Sequence, residues 1–103
     1  MIKRVIKKSG KKEIFSKIKV KKSIKRAVEN ARVPEHLKQL IIEETVSELL
    51  ERLERFDETT TAQIRDIILL KLQQMDPAVV TAWIAYELQK ITEEAAREKR
   101  ARL

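Results

Sequence analysis

The chain has 103 residues, of which 43% are hydrophobic, and this suffices for one domain with one modest core. It contains no cysteine and one histidine, which excludes disulfides, thiolate metal sites, cysteine nucleophiles and His-rich metal sites. No apolar run approaches the roughly 18 residues of a membrane span, and the N-terminus lacks the apolar core of a signal peptide. We therefore expect no membrane association and a cytoplasmic location.

Positive charge is concentrated in the N-terminal third of the chain. Residues 1–32 carry 13 Lys and Arg against two acids, a net charge of +11, whereas residues 33–103 carry a net charge of −4. An excess of this size favours an anionic partner, and nucleic acid is one candidate. A solvated lysine face is the simpler alternative.

Residues 5–20 predict a β-hairpin that leads directly into a helix. Ser9-Gly10 supplies the turn, because glycine reaches positive φ without a steric penalty. Strand-type residues flank the turn, Val5 and Ile6 before it and Ile14 and Phe15 after it. Lysines crowd both sides of this turn, so a screening anion is expected nearby.

Two helices are predicted after the hairpin. The first runs from Lys17 to Ala31 with Ser16 as its N-cap, and the second starts at Val33-Pro34 and ends near Phe56. Their apolar residues recur at helical spacing: Val20, Ile24, Ala27, Val28 and Ala31 in the first, and Leu37, Leu40, Ile41, Leu49, Leu53 and Phe56 in the second.

Two more helices follow the polar connector at residues 57–61. Thr60 and Thr61 compete as N-caps of the third helix, and Asp76-Pro77 starts the fourth. Their predicted buried stripes are Ile64, Ile67, Ile68, Leu72 and Met75 in the third helix, and Val79, Val80, Trp83, Ile84, Leu88 and Ile91 in the fourth. From Thr92 the fourth helix becomes polar, and we expect this tail to fray or project.

The predicted fold is mainly α with a small β part (α+β), a four-helix bundle capped by an N-terminal β-hairpin. A two-stranded hairpin is marginal alone, and residues 59–61 are the candidate for a third strand, which would give a three-stranded sheet. We expect a domain over residues 1–91 and a polar helical tail over residues 92–103.

The hairpin also resembles the opening of the ATP-cone, a nucleotide-binding regulatory domain of ribonucleotide reductases and a few other families. The residues that carry the resemblance are Val5, Lys7, Lys8, Gly10, Phe15, Lys19 and Val20. Lys8 stands where that family usually has Arg, Ser9 where it often has Asp, and Val20 where it often has Ile. Further similarity lies in Thr61-Ala62-Gln63-Ile64 and in Val79, Val80, Trp83 and Tyr86, so the resemblance covers residues 2–91.

The resemblance implies a site for ATP or dATP, with Mg²⁺ as a candidate companion ion. Carried over by position, the nucleotide-binding residues are Lys7, Lys8, Glu13, Ile14, Phe15, Ser16, Lys17, Ile18, Lys19, Thr61 and Lys90. Lys7, Lys19 and Lys90 would supply charge for a triphosphate, and Glu13 and Thr61 would bind base or sugar. Lys8 offers a point charge in place of the bidentate guanidinium fork.

The implied function is that of a non-catalytic module that acts through self-association or a regulated partner protein. An enzyme is not expected, because Ser9-Gly10-Lys11-Lys12 lacks the spacing of a P-loop and no nucleophile and base pattern is present. The alternative function is nucleic-acid binding through the basic N-terminal third. Against it, no helix-turn-helix turn, zinc finger or aromatic platform is visible.

Overall fold

The computed structural model describes residues 1–101, and residues 102–103, the end of the predicted polar tail, lie outside the described part. Three short strands and four helices follow one another along the chain: β1 (Arg4–Ile6), β2 (Lys12–Ile14), α1 (Lys17–Asn30), α2 (Glu35–Leu53), β3 (Glu58–Thr60), α3 (Thr61–Met75) and α4 (Pro77–Ala101). The predicted class, mainly α with a small N-terminal sheet, is confirmed.

The hairpin turn is one residue longer than the predicted Ser9-Gly10 pair. The Gly10 N–H donates to the Lys7 carbonyl at 2.8 Å, and the Lys7 N–H donates to the Lys11 carbonyl at 2.9 Å. Gly10 has a φ of +86°, in the left-handed region that glycine adopts without penalty. The connection is thus a three-residue loop with glycine at its left-handed position, a common hairpin geometry.

The predicted third strand is present and completes a sheet with the order β2-β1-β3. β1 pairs antiparallel with β2, with Val5 opposite Glu13, and parallel with β3, with Val5 opposite Thr59. Because β2 leads into α1 and β3 continues directly into α3, this sheet sets where both helices begin.

The helices begin and end where the sequence contains capping residues. Ser16 caps α1 by accepting the Lys19 N–H at 3.3 Å. Of the two candidates for α3, Thr60 is the N-cap and accepts the Gln63 N–H at 3.0 Å. Asp76 caps α4 as predicted, accepting the Ala78 N–H at 3.0 Å. Helix α2 differs slightly, since Pro34 occupies the N-cap and Glu35 is the first helical residue.

The four helices form a closed ring around the core, in which α1 and α3 each pack against both α2 and α4. The fully buried side chains come from every helix: Ile24 and Val28 from α1, Thr45 and Leu49 and Leu53 from α2, Ile68 and Leu72 from α3, and Val79 from α4. The stripes predicted for α1 and α3 are confirmed, with Val20, Ala31, Ile64, Ile67 and Met75 partly buried against this core.

Several apolar residues predicted to be buried are exposed instead. On α2 the prediction is wrong for Leu37, Leu40 and Phe56, which are 37%, 51% and 50% exposed, and Phe56 follows the helix end. The buried stripe of α2 includes the polar Thr45, whose hydroxyl donates to the Ile41 carbonyl at 2.7 Å. A search for apolar residues at helical spacing does not find this position. On α4, Leu88 and Ile91 are 59% and 63% exposed, because the helix is exposed from Leu88 onward. Ile84 is 39% exposed although it lies in the part of α4 that packs on the bundle.

Helix α4 does not fray at Thr92 but continues to Ala101, and every residue from Leu88 to Ala101 is exposed. The end of α4 therefore projects beyond the bundle over at least the described residues. In residues 1–101, no helix combines the length and the apolarity that a membrane crossing requires.

Leu49 and Leu40 offer a matched test of the core, since both are leucines of α2 and they are 0% and 51% exposed. We expect Leu49→Ala to lower the free energy of unfolding by about 2–5 kcal/mol, from lost burial plus a residual cavity. Leu40→Ala should cost less than about 1 kcal/mol. Urea denaturation followed by circular dichroism measures both, and equal losses would contradict the placement of the core.

Candidate functional site

A cleft of about 230 Å³ lies between the hairpin and the first turns of α1 and α3. We call it the hairpin cleft. Its lining includes seven of the residues predicted as nucleotide contacts: Lys7, Glu13, Ile14, Phe15, Ser16, Lys19 and Thr61. Seven further residues complete it: Val5, Val20, Ser23, Ile64, Arg65, Ile68 and Trp83.

Helical periodicity decides which residues of α1 face the hairpin cleft. Ser16, Lys19, Val20 and Ser23 line it, and they recur at the three- and four-residue spacing of one helix face. The intervening Lys17 and Ile18 point elsewhere. Lys17 lines cavities on the side of α2 and the N-terminus, and Ile18 is 69% exposed and does not line the cleft.

Two helix N-termini meet at this cleft, those of α1 and α3. The first amides of a helix have no intrahelical acceptor, and Ser16 satisfies only that of Lys19 on α1. The amides of Lys17 and Ile18 therefore lack an intrahelical acceptor, and the helix dipole adds partial positive charge. The cleft thus combines lysine ammonium groups with helix N-termini, a combination that suits anions.

An ion pair occupies the hairpin side of the cleft. The Lys7 Nζ lies 2.9 Å from the Glu13 Oε1, on the neighbouring strand. The Lys7 ammonium lowers the pKa of the Glu13 carboxyl, and the charges of Lys19 and Lys11 act in the same direction. Glu13 is therefore ionised at neutral pH and holds Lys7 over the cleft.

A second ion pair forms the opposite wall. Arg65 of α3 binds Glu87 of α4 through two hydrogen bonds, Nε to Oε2 at 2.7 Å and a terminal guanidinium nitrogen to Oε1 at 2.9 Å. Arg65 lowers the pKa of the Glu87 carboxyl, with smaller contributions from the Trp83 N–H and the Lys8 charge. The Trp83 Nε1 is buried and has no hydrogen-bond acceptor within residues 1–101, and Glu87 lies one helical turn away on α4.

Two further cavities adjoin the hairpin cleft at Trp83. A groove of about 620 Å³, which we call the α3–α4 groove, shares Thr61, Arg65 and Trp83 with the cleft, and its lining also includes Lys8, Glu87 and Leu88. A smaller cavity of about 150 Å³ is lined by Ser23, Arg26, Ala27, Trp83, Tyr86 and Glu87. Since pockets for ligands of nucleotide size hold about 300–1,000 Å³, the cleft together with the groove is large enough.

Besides Lys17, two more of the predicted lysines lie outside the lining of the hairpin cleft. Lys8 lines the α3–α4 groove, because the hairpin loop carries it past the cleft. Lys90 is exposed on α4, with its Nζ 5.6 Å from the ring centroid of Tyr86, and Arg26 covers the same ring at 4.2 Å. That any of the eleven predicted residues contacts a ligand stays a prediction.

Sequence reasoning missed Arg65, Ser23 and Trp83 as site residues. A signal was available for the first two, since Arg65 follows Thr61 by four residues and Ser23 follows Ser16 by seven, which places each pair on one helix face. The Trp83 side chain enters the site only through the packing of α4 against α1 and α3.

The charged groups of the cleft are more suited to an anion than to a bare metal ion. Over the described residues, no group of three or more His, Asp or Glu side chains is placed to hold a metal. Mg²⁺ commonly binds through substrate phosphates and one or two carboxylates, and Glu13 is a carboxylate of the cleft lining. The residues therefore fit Mg²⁺ that arrives with a ligand's phosphates.

Comparison with protein families agrees with this geometry. The family model described as the ATP cone domain matches residues 3–92 of the chain. The chain therefore belongs to the ATP-cone family, whose members are regulatory, non-catalytic domains that bind adenine nucleotides. A search of curated proteins finds no significant match to the chain.

The Arg65–Glu87 pair leads to a prediction about the pKa of the Glu87 carboxyl. Because Arg65 depresses the folded-state pKa of Glu87 below the ordinary 4.5, the pair's stabilisation is present above that value and is lost as the pH falls through the folded pKa. In Arg65→Gln the pKa of Glu87 should rise toward 4.5 or above it, as measured by NMR titration of the side-chain carboxyl. The lowered pKa of Glu48, which is caused by Arg52, should not change in this variant. An unchanged Glu87 pKa would contradict the assigned cause.

Proposed function

We propose that this protein binds ATP or dATP in the hairpin cleft and the adjoining α3–α4 groove, with Mg²⁺ on the phosphates, as a non-catalytic regulatory module. One observation carries the proposal: Lys7, Glu13 and Lys19 of the N-terminal segment and the distant Thr61 line one cleft at two helix N-termini. Family membership supports a nucleotide-binding regulatory role.

Charge and shape suggest how the nucleotide lies. Lys7 and Lys19 would bind phosphate oxygens together with the free amides of α1. The Thr61 hydroxyl and the Glu13 carboxylate would bind the sugar or the base. Ile14 is 84% exposed at the edge of the cleft, and Phe15 is half-buried inside it, so both can cover an adenine ring.

The regulatory output would be self-association or binding to a partner protein. An apolar stripe of Ile84, Leu88 and Ile91 is exposed on α4 and lines the α3–α4 groove. Exposed apolar surface of this kind is typical of interaction sites. Since the groove shares Arg65 and Trp83 with the cleft, occupancy of the cleft can affect this surface directly.

Adenine nucleotides should raise the melting temperature. A ligand that binds only the folded state stabilises it by about 2.7 kcal/mol at one hundred times its Kd. We expect Lys7→Ala/Lys19→Ala to abolish most of the shift seen with ATP or dATP in differential scanning fluorimetry. Lys38→Ala/Lys71→Ala, which removes the same charge from α2 and α3 outside the cleft, should retain it. No shift of the unmodified protein at millimolar nucleotide, with or without Mg²⁺, would end the proposal.

Nucleic-acid binding is the second candidate, and the exposed face of α1 favours it. Lys17, Lys21 and Lys25 are exposed at four-residue spacing, and Lys22 lies beside them. Among the described residues only Lys21 of these four has an ion-pair partner, Glu43 at 3.6 Å. Such a row of cations can follow a phosphate backbone.

A salt titration separates this candidate from nucleotide binding. If α1 binds a polynucleotide, the affinity for labelled DNA or RNA should fall steeply between about 50 and 200 mM salt, as counterion release requires. Lys22→Ala/Lys25→Ala should weaken it while leaving the ATP-induced melting shift intact. Absence of binding at low salt would exclude the second candidate.

A further inference from the structure

The wall between the hairpin cleft and the α3–α4 groove contains the Arg65 guanidinium, which already binds a carboxylate. Arg65 lines both cavities and presents its fork to the Glu87 carboxylate, with both hydrogen bonds at 2.9 Å or less. The Arg65 side chain is 42% exposed and that of Glu87 is 35% exposed. A soluble anion can therefore reach this pair from either cavity.

Glu87 has a second potential donor one helical turn away on α4, since Trp83 and Glu87 line the same two cavities. The Trp83 N–H is buried and has no acceptor among residues 1–101. A buried donor without a partner costs free energy, so an arrangement in which a carboxylate accepts from it would be favoured once that carboxylate is released. Trp83 and Glu87 lie one turn apart on α4, so side-chain rotation alone can bring them together.

We propose that Arg65 is a phosphate-binding residue of the nucleotide site, that Glu87 occupies its fork in the free protein, and that nucleotide phosphate displaces Glu87 toward the Trp83 N–H. This inference rests on the proposed nucleotide binding and adds to it a residue and an exchange of partners. Arginine binds phosphate and carboxylate with the same bidentate geometry, which makes one anion able to replace the other. No covalent bond changes in the exchange.

The exchange would also supply the planar bidentate donor that the hairpin loop lacks at Lys8. Lys8 lines the α3–α4 groove rather than the cleft and provides a point charge without a fork. Arg65 restores a planar bidentate donor from the opposite wall, on α3. Because α4 carries both Glu87 and the exposed Ile84, Leu88 and Ile91, the exchange transmits phosphate occupancy to the helix with the free apolar stripe.

Calorimetric titration of ATP and adenosine into a set of variants tests the inference. Arg65→Gln should weaken ATP binding about tenfold, the effect of losing a charge-assisted hydrogen bond, and should change adenosine binding less than about twofold. Arg65→Lys should lie between Arg65→Gln and the unmodified protein. Glu87→Gln should bind ATP about three- to tenfold more tightly, because a neutral amide competes less for Arg65.

The Arg52–Glu48 pair provides the matched control, since it joins the same two residue types at 2.8 Å on α2, away from the three cavities around Trp83. Arg52→Gln and Glu48→Gln should leave ATP affinity unchanged. Circular dichroism and thermal unfolding of each variant identify any loss of folding.

The only tryptophan of the chain reports on the second half of the exchange. Saturating ATP should shift the Trp83 emission in the unmodified protein, and most of the shift should be absent in Glu87→Gln. An Arg65→Gln protein that binds ATP normally, or that loses adenosine affinity equally, would overturn the inference while leaving nucleotide binding in place. An equal emission shift in Glu87→Gln would overturn the movement of Glu87. Failure of the unmodified protein to bind ATP would overturn the proposed function, and this inference with it.

Discussion

The parallel pairing of β1 with β3 is the interaction on which the rest of the site depends. It places Thr59 opposite Val5, where Thr59 is 3% exposed and its hydroxyl donates to the Gln63 Oε1 at 2.8 Å. Since β3 continues into α3 without a linker, this pairing carries the N-terminus of α3 to the hairpin. Without it, the hairpin would be a marginal two-stranded unit beside a bundle, and the hairpin cleft would lack one wall.

Charge gives this cleft its chemical character. The N-terminal third is strongly cationic, yet the structure uses only some of its lysines at the cleft, and others are exposed on α1. What distinguishes Lys7 and Lys19 is their position beside two helix N-termini, where amides and dipoles add to the side-chain charge. A solvated lysine face lacks this convergence of ammonium groups and helix amides. Binding of a small anionic ligand is therefore the better supported of the two candidate functions.

The Arg65–Glu87 pair links the electrostatics of the site to the packing of the bundle. It joins α3 to α4 at the point where the cleft, the groove and Trp83 meet. Exposed ion pairs contribute little to stability, so the significance of this pair lies in its location rather than in its strength. In the proposed exchange, a ligand that competes for Arg65 acts on α4, whose residues from Leu88 to Ala101 are exposed.

The sequence by itself determined the local features of this protein: four helices, caps at Ser16 and Asp76, a cap at Thr60 or Thr61, the hairpin, and a third strand near Thr59. These depend on interactions within a few residues, which is why they can be predicted. Seven of the eleven predicted site residues line the cleft; hairpin and helix geometry places six of them, and the pairing of β1 with β3 places Thr61.

Only the tertiary structure decided which apolar residues are buried and which side chains complete the site. Leu40, Leu88 and Ile91 carry the helical pattern of buried residues, yet they are exposed because the ring of helices covers one face of α2 and only half of α4. The meeting of Arg65, Glu87 and Trp83 is likewise a product of how α3 and α4 pack. Periodicity specifies which face of a helix is apolar. Which neighbouring element covers that face, and over what length of the helix, depends on contacts between residues distant in the chain.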